Sequence, residues 1–317
     1  MSRLATIGRR LGQLIVVLVL VTALNALLFS MLPGDLAEVN IPFGSDAQRE
    51  ALREDLGLNE PVYVQYGRWL GNFVKGDFGS YYRQGNVTPV LERVKSTAPV
   101  SIQLMIYAQL LALGLAIPLG IFTARRAGTR ADKATNTVAF ALLAVPNFVL
   151  GLVLAYVVGV QLRWLPPQGY VHLGDNVVDH FRSMAIPSFS LAIGLIATYM
   201  RLLRTDLVAT LQQDFILMAK SKGISERRVL WRHALRPSSI TLITSAGLNV
   251  GALIGGALII EIIFNLDGMG RLIFEAIGER QIVAIQSLVA IVAVGYVIVN
   301  FLVDILYAVV DPRIRRG

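Results

Sequence analysis

The chain has 317 residues, 55% of them hydrophobic and 16% charged, with a mean hydropathy of +0.61. That balance excludes an ordinary soluble domain, because so much apolar surface needs a bilayer to bury it. The net charge of +8 is explained by basic residues flanking membrane spans and calls for no nucleic acid, and the absence of cysteine excludes disulfides and thiolate metal sites.

Six windows free of Lys, Arg, Asp and Glu are long enough to cross a membrane: 11–34, 96–124, 134–162, 183–200, 237–260 and 281–303. A hydrocarbon core of about 30 Å needs roughly 20 helical residues. The windows are continuously apolar and lack the alternation of a barrel strand, so they predict an all-α integral membrane protein with six transmembrane helices. The termini share a side with the segments 125–133 and 201–236. That set holds 18 Lys and Arg against 11 on the other side, which predicts cytoplasmic termini.

In chain order, residues 1–33 form a short cytoplasmic start and the first helix. Arg3, Arg9 and Arg10 precede an apolar run too long for a removed signal sequence. Residues 34–95 are an external segment with helical signals. Ser45 and Gln48 make a capping box, Gly57 is placed as a helix stop, and Pro61 opens a second helix with Tyr66, Trp69 and Phe73 on one face. A lid packed on the spans and a part in receiving substrate both fit this segment.

Residues 96–310 hold the other five spans. Gln103 and Gln109 in the second, and Pro146 and Asn147 in the third, must face protein or water. Either path lining or tight packing meets that demand. The fourth span begins near Pro187, and its helix continues past Arg201. Asp214 then suits the N-cap of a short helix through Lys222, Gly223 suits its left-handed stop, and Ser225 caps a third piece with Glu226 in the first turn.

This segment, 201–236, carries eight Lys or Arg against three acids. Arg228, Arg232 and Arg236 are spaced for one stripe opposite Leu230 and Ala234. They fit a docking site for a cytoplasmic partner and equally an ordinary positive-inside face. Pro237 marks the entry to the fifth span, where Gly247, Gly251 and Gly255 are spaced for close helix approach, internal or with a second subunit. Glu261 and Asn265 are expected in interfacial water at its outer end. Residues 311–317 are a cytoplasmic tail.

No P-loop, HExxH or GxSxG motif occurs, and the spans offer no acid for ion coupling at midplane. Energy is therefore expected from a partner, and the basic loop is where it can enter.

The loop DFILMAKSKGISERRVLWRHALRP resembles the cytoplasmic signature of permease subunits of binding-protein-dependent ABC importers. The rest of the chain carries further marks of the dipeptide and oligopeptide branch. These are RRLGQLIVVL, LPGD, DLGLNEPVYVQYGRWLGNFVKGDFGS, NLDGMGRL and the closing DPRIR. The resemblance implies a type I importer fold in a bacterial or archaeal plasma membrane. Its implied partners are a second homologous permease, two cytoplasmic ABC ATPases that hold ATP and Mg, and an external solute-binding protein.

It also implies that the chain is not itself an enzyme and binds no cofactor. Its ATPase-docking residues are implied to be Asp214, Ala219, Lys222, Gly223, Ser225 and Glu226, beside Arg228 and Arg232. The acid of the general motif falls on Leu217 here, and its later proline is shifted to Pro237. A nickel or glutathione importer of the same family is the nearer alternative, and an ion-coupled carrier or channel the more distant one.

Overall fold

The computed structural model describes residues 3–31, 36–40, 45–83 and 86–310. The LPGD motif and the tail with DPRIR lie outside the described residues. The elements are α1 (Arg3–Ser30), α2 (Leu36–Asn40), α3 (Asp46–Leu56), α4 (Val62–Val74), β1 (Ser80–Arg83), β2 (Asn86–Pro89) and α5 (Val90–Arg125). They continue with α6 (Arg130–Ala144), α7 (Asn147–Leu154), a π-helical segment (Ala155–Gln161), α8 (Val177–Leu211), α9 (Asp214–Ser221) and α10 (Glu226–Arg228). A second π segment (Val229–Ala234), α11 (Leu235–Phe264), α12 (Met269–Gly278) and α13 (Ile282–Val310) complete the order.

Among the described residues, four helices are long and apolar enough to span a membrane: Val90–Arg125, Val177–Leu211, Glu226–Phe264 and Ile282–Val303. The pair Arg130–Ala144 and Asn147–Gln161 counts as a fifth if taken as one broken span, and α1 contributes the shorter apolar stretch Ile15–Leu28. The third predicted span is thus not straight but bends by 101°. Pro146 accounts for this, since it disfavours helical backbone at Val145, which is extended at ψ 130°.

The chain divides into two compact units. The first comprises Met1–Val100 and Asp267–Ile298. Here the capping box forms as expected: the Ser45 hydroxyl accepts from Gln48 N–H (3.3 Å) and the Gln48 carbonyl oxygen accepts from Ser45 N–H (2.9 Å). Gly57 closes α3 in the left-handed conformation. On α4, Trp69 is buried and its indole N–H donates to Ser287 Oγ at 2.8 Å.

The helical signals missed the antiparallel hairpin β1–β2, paired from Ser80↔Pro89 to Arg83↔Asn86. Gln281 completes its edge, accepting from Tyr82 N–H at 3.1 Å and donating to the Tyr82 carbonyl. Tyr81, Val90 and Val94 pack with Leu272 and Ala276 of α12 and with Ile285 and Leu288 of α13. The amphipathic α12 was not anticipated either.

The second unit comprises Ser101–Leu266 and Val299–Gly317, and α8 is its axis, packed by α6, α7 and α11. At 35 residues α8 is about 52 Å long. It begins ten residues before Pro187, because Asn176 caps it by accepting from the N–H groups of Val178 (3.0 Å) and Asp179 (3.1 Å). Close approach of α11 to α8 occurs at Gly256, where a Cβ would lie 2.8 Å from Leu191 Cδ1.

Pro237 does not open a new helix. The chain is helical from Glu226 through Phe264, and the wider turns of Val229–Ala234 end just before the proline. A proline ring clashes with the carbonyl four residues earlier, here that of His233, and a π bulge gives that carbonyl room. Glu261 is buried at 1% exposure, not in interfacial water as expected, while Asn265 ends α11 with a left-handed φ of 55°.

Candidate functional site

The basic hairpin is built from the end of α8, then α9, a tight turn, and α10 with its π segment. α9 packs on the π segment. Ile216 and Ala219 form its buried side, and Val229, Leu230 and Ala234 the buried side of the segment. The opposite side is exposed and mixed: Phe215, Leu217 (54%), Met218 (59%) and Trp231 stand among Lys220, Lys222, Arg227, Arg228 and Arg232. Large apolar side chains left open beside cations form a surface suited to a protein partner. Phe215, Leu217 and Met218 were missed in the sequence reading, although their alternation with Ile216 and Ala219 at helical spacing carries the signal.

Gln213, not Asp214, occupies the N-cap, and Asp214 lies exposed in the first turn, where the helix dipole favours a carboxylate. Ala219 is buried and contributes packing. Lys222 is exposed at the C-cap, and Gly223 adopts φ +74°, with its N–H donating to the Lys220 carbonyl at 2.9 Å.

Ser225 takes N-cap backbone geometry without a side-chain cap bond. Glu226 is exposed, 3.9 Å from Arg125. Arg228 and Arg232 are exposed and line a hollow of about 400 Å³ with Ser225, Arg227 and Trp231. Trp231 also borders a second hollow of about 520 Å³ with Arg125 and Arg126.

An ion pair with a buried carboxylate ties the start of α6 to the last turns of α8, the helix that leads into the hairpin. Arg204 meets Asp132 in a two-point fork, Nε to Oδ1 and Nη2 to Oδ2, each at 2.6 Å. Asp132 also accepts from Gly128 N–H (2.9 Å) and the Asn136 amide (2.8 Å), and its side chain is 3% exposed. The T-x-x-D of residues 129–132 is the sequence signal for this end of α6, since Thr129 caps the helix by accepting from Asp132 N–H. Nothing in the sequence pointed to Arg204 as its partner.

The other candidates are dispersed. Gln103 accepts from the Tyr170 hydroxyl at 2.9 Å. Gln109 binds Tyr199 and the Ala246 carbonyl, each at 3.3 Å, tying α5 to α8 and α11. Asn147 packs against Gly194, where a Cβ would meet its Oδ1 at 3.1 Å. In the glycine stripe, Gly247 and Gly251 are half-buried and a Cβ on Gly255 would meet nothing within 4 Å, whereas its neighbour Gly256 is a point of close approach to α8.

Among the described residues, four apolar helices long enough to cross a membrane, with a fifth broken one, and a basic hairpin with exposed apolar side chains mark a multi-pass membrane protein with a surface for a protein partner. The chain belongs to the family described as binding-protein-dependent transport system inner membrane component, which it matches over residues 116–316. The N-terminal component of the same family matches residues 3–105.

Among curated relatives, it is 39% identical over 315 residues to the oligopeptide transport system permease protein AppB of Bacillus subtilis, covering 98% of this chain and 99% of that one. It is 34% identical over 308 residues to the probable peptide ABC transporter permease protein y4tP of Sinorhizobium fredii, covering 97% and 98%. It is 33% identical over 308 residues to the glutathione transport system permease protein GsiC of Escherichia coli, covering 97% of each chain.

Proposed function

We propose that this chain is the permease subunit of an ATP-driven importer and forms the path for di- and oligopeptides delivered by an external solute-binding protein. The observation that carries the importer reading is the hairpin, with apolar Phe215, Leu217 and Met218 set among cations on a short helix that ends at a left-handed glycine. Peptide as cargo is supported by the full-length similarity to relatives named for oligopeptide and peptide transport. Glutathione, itself a short peptide, is the second reading, supported by a relative named for it.

In this reading the chain does no catalysis of its own. ATP and Mg are held by two ATPase subunits, a second homologous permease completes the path, and the hairpin and both termini face the cytoplasm. ATP binding closes the ATPases and moves residues 214–236 as a rigid lever, switching the spans between inward-open and outward-open. The free energy enters as a difference in ATPase affinity for the two states, since a partner binding both equally shifts nothing. Asp214, Lys222, Ser225, Glu226, Arg228 and Arg232 meet the ATPase, Ala219 holds α9 on its support, and Gln103, Gln109 and Asn147 border a generic path. Gly247, Gly251 and Gly255, with Gly255 open on its Cβ side, are the stripe by which a helix of the second permease approaches.

The test is peptide-stimulated ATP turnover in proteoliposomes containing permeases, ATPases and binding protein. A Cβ at Gly223 meets no neighbour within 4 Å, so within this chain Gly223→Val acts through strain of the left-handed backbone. That strain is about 1–2 kcal/mol. Turnover is expected to uncouple from peptide while the complex stays assembled. Full peptide-stimulated turnover in the variant would show the lever assignment to be wrong. Competition between a pentapeptide and glutathione for stimulation separates the two cargo readings.

A further inference from the structure

The second unit contains an apolar groove of about 780 Å³ between α5, α8 and the end of α7, lined by Leu110, Gly114, Leu115, Phe181 and Phe189 among others. Its size falls in the range of small-molecule sites, about 300–1,000 Å³. The lining along α5 runs from residue 107 to 115. That is about 12 Å of helix, against about 15 Å for half a hydrocarbon core. A peptide backbone laid here would strand its amides, because the walls offer almost no polar partner. An acyl chain has no such requirement.

One end of the groove is polar and cationic. Leu165 is shared with an adjoining hollow of about 550 Å³ lined by Arg163, Arg182, Asp179 and Gln168. Arg163 and Arg182 have no carboxylate partner among the described residues, and Asp179 accepts from the Asn176 amide at 2.9 Å. Trp164, 67% exposed, stands at the junction in the position of an interfacial aromatic.

The mouth is held in place by its backbone. Trp164 N–H donates to the Val158 carbonyl at 3.0 Å, and Arg182 Nη2 donates to the Trp164 carbonyl at 3.3 Å. Inside the groove the Ser188 hydroxyl is buried and has no hydrogen-bond partner among the described residues.

We propose that this groove is a phospholipid site, taking one acyl chain between α5 and α8 and placing an anionic headgroup phosphate between Arg163 and Arg182. The charge pattern selects the occupant: an apolar tail, then an aromatic at the interface, then two arginines that have no carboxylate partner among the described residues and outnumber the one carboxylate, Asp179, in the same hollow. The site does not depend on the transported cargo.

The experiment reconstitutes the full chain in liposomes with phosphatidylglycerol bearing a diazirine in its acyl chain, and maps the adducts by mass spectrometry. Adducts are expected to concentrate on residues 107–115 and 184–189 over the exposed face of α13. Gly114→Leu fills the groove without a clash at its Cβ, which meets nothing within 4 Å, and should abolish the excess. In native mass spectrometry, Arg163→Gln and Arg182→Gln should each lower the preference for phosphatidylglycerol over phosphatidylcholine about fivefold.

Adducts spread evenly over all apolar helices, or an excess that survives Gly114→Leu, overturns the proposal. So does a lipid preference unchanged in the double arginine variant. Displacement of the label by a co-reconstituted partner permease assigns the groove to a protein helix, and displacement by peptide assigns it to the transport path; either result also overturns the proposal.

Discussion

Asp132 carries a charge into a place where its side chain is 3% exposed, and the structure answers with three donors: the Arg204 fork, the Gly128 N–H and the Asn136 amide. Taking one partner from a buried pair leaves the other charge uncompensated, at a cost of about 3–5 kcal/mol. Arg204 is a quarter exposed, so water relieves part of that cost when Asp132 is the residue removed. Asp132→Ala should therefore fall near the lower end, about 3 kcal/mol, and Arg204→Met higher. The double variant should cost less than the sum of the two, because the orphaned charge disappears with its partner. Unfolding in detergent, read as a four-variant cycle, measures this. An additive cycle would show that the pair is a surface contact in effect.

At the scale of elements, the hairpin separates residues that hold it together from residues it offers outward. Ile216, Ala219, Val229 and Leu230 are buried, whereas Phe215, Leu217 and Met218 are exposed within the same helix. Serine at the three exposed positions should change stability by no more than about 0.5 kcal/mol each. The same triple variant should lose most of its co-purifying ATPase, read by pull-down. Retained ATPase with unchanged turnover would place the docking surface elsewhere.

The short-range signals of this region were legible in the sequence: Gly223 as the left-handed stop, Ser225 as the next backbone cap, and the arginine spacing opposite Leu230 and Ala234. What depended on distant partners was not. The hairpin edge closed by Gln281 and the Asp132–Arg204 pair join residues 199 and 72 positions apart, which no local pattern encodes. The bulge before Pro237, by contrast, follows from the clash of a proline ring with the carbonyl four residues earlier and was open to a local reading.

For the whole molecule, the decisive quantity is which end of α8 lies on which side of the membrane. A helix of about 52 Å exceeds a hydrocarbon core of about 30 Å, so Asp175 just before it and Lys220 beyond its end cannot share a face of the bilayer if it runs straight across. Both residues are exposed, and the chain has no native cysteine, so single replacements report without background. In vesicles stripped of peripheral subunits by urea, a membrane-impermeant maleimide should label Asp175→Cys only when right-side-out and Lys220→Cys only when inverted. Adding back the ATPases should slow labelling of Lys220→Cys and leave Asp175→Cys unchanged. The reverse sidedness would place the basic hairpin outside the cell, where no ATP-driven partner can reach it, and the lever mechanism would fail with it. Correct sidedness without protection by the ATPases would keep the topology and remove α9 from the docking surface.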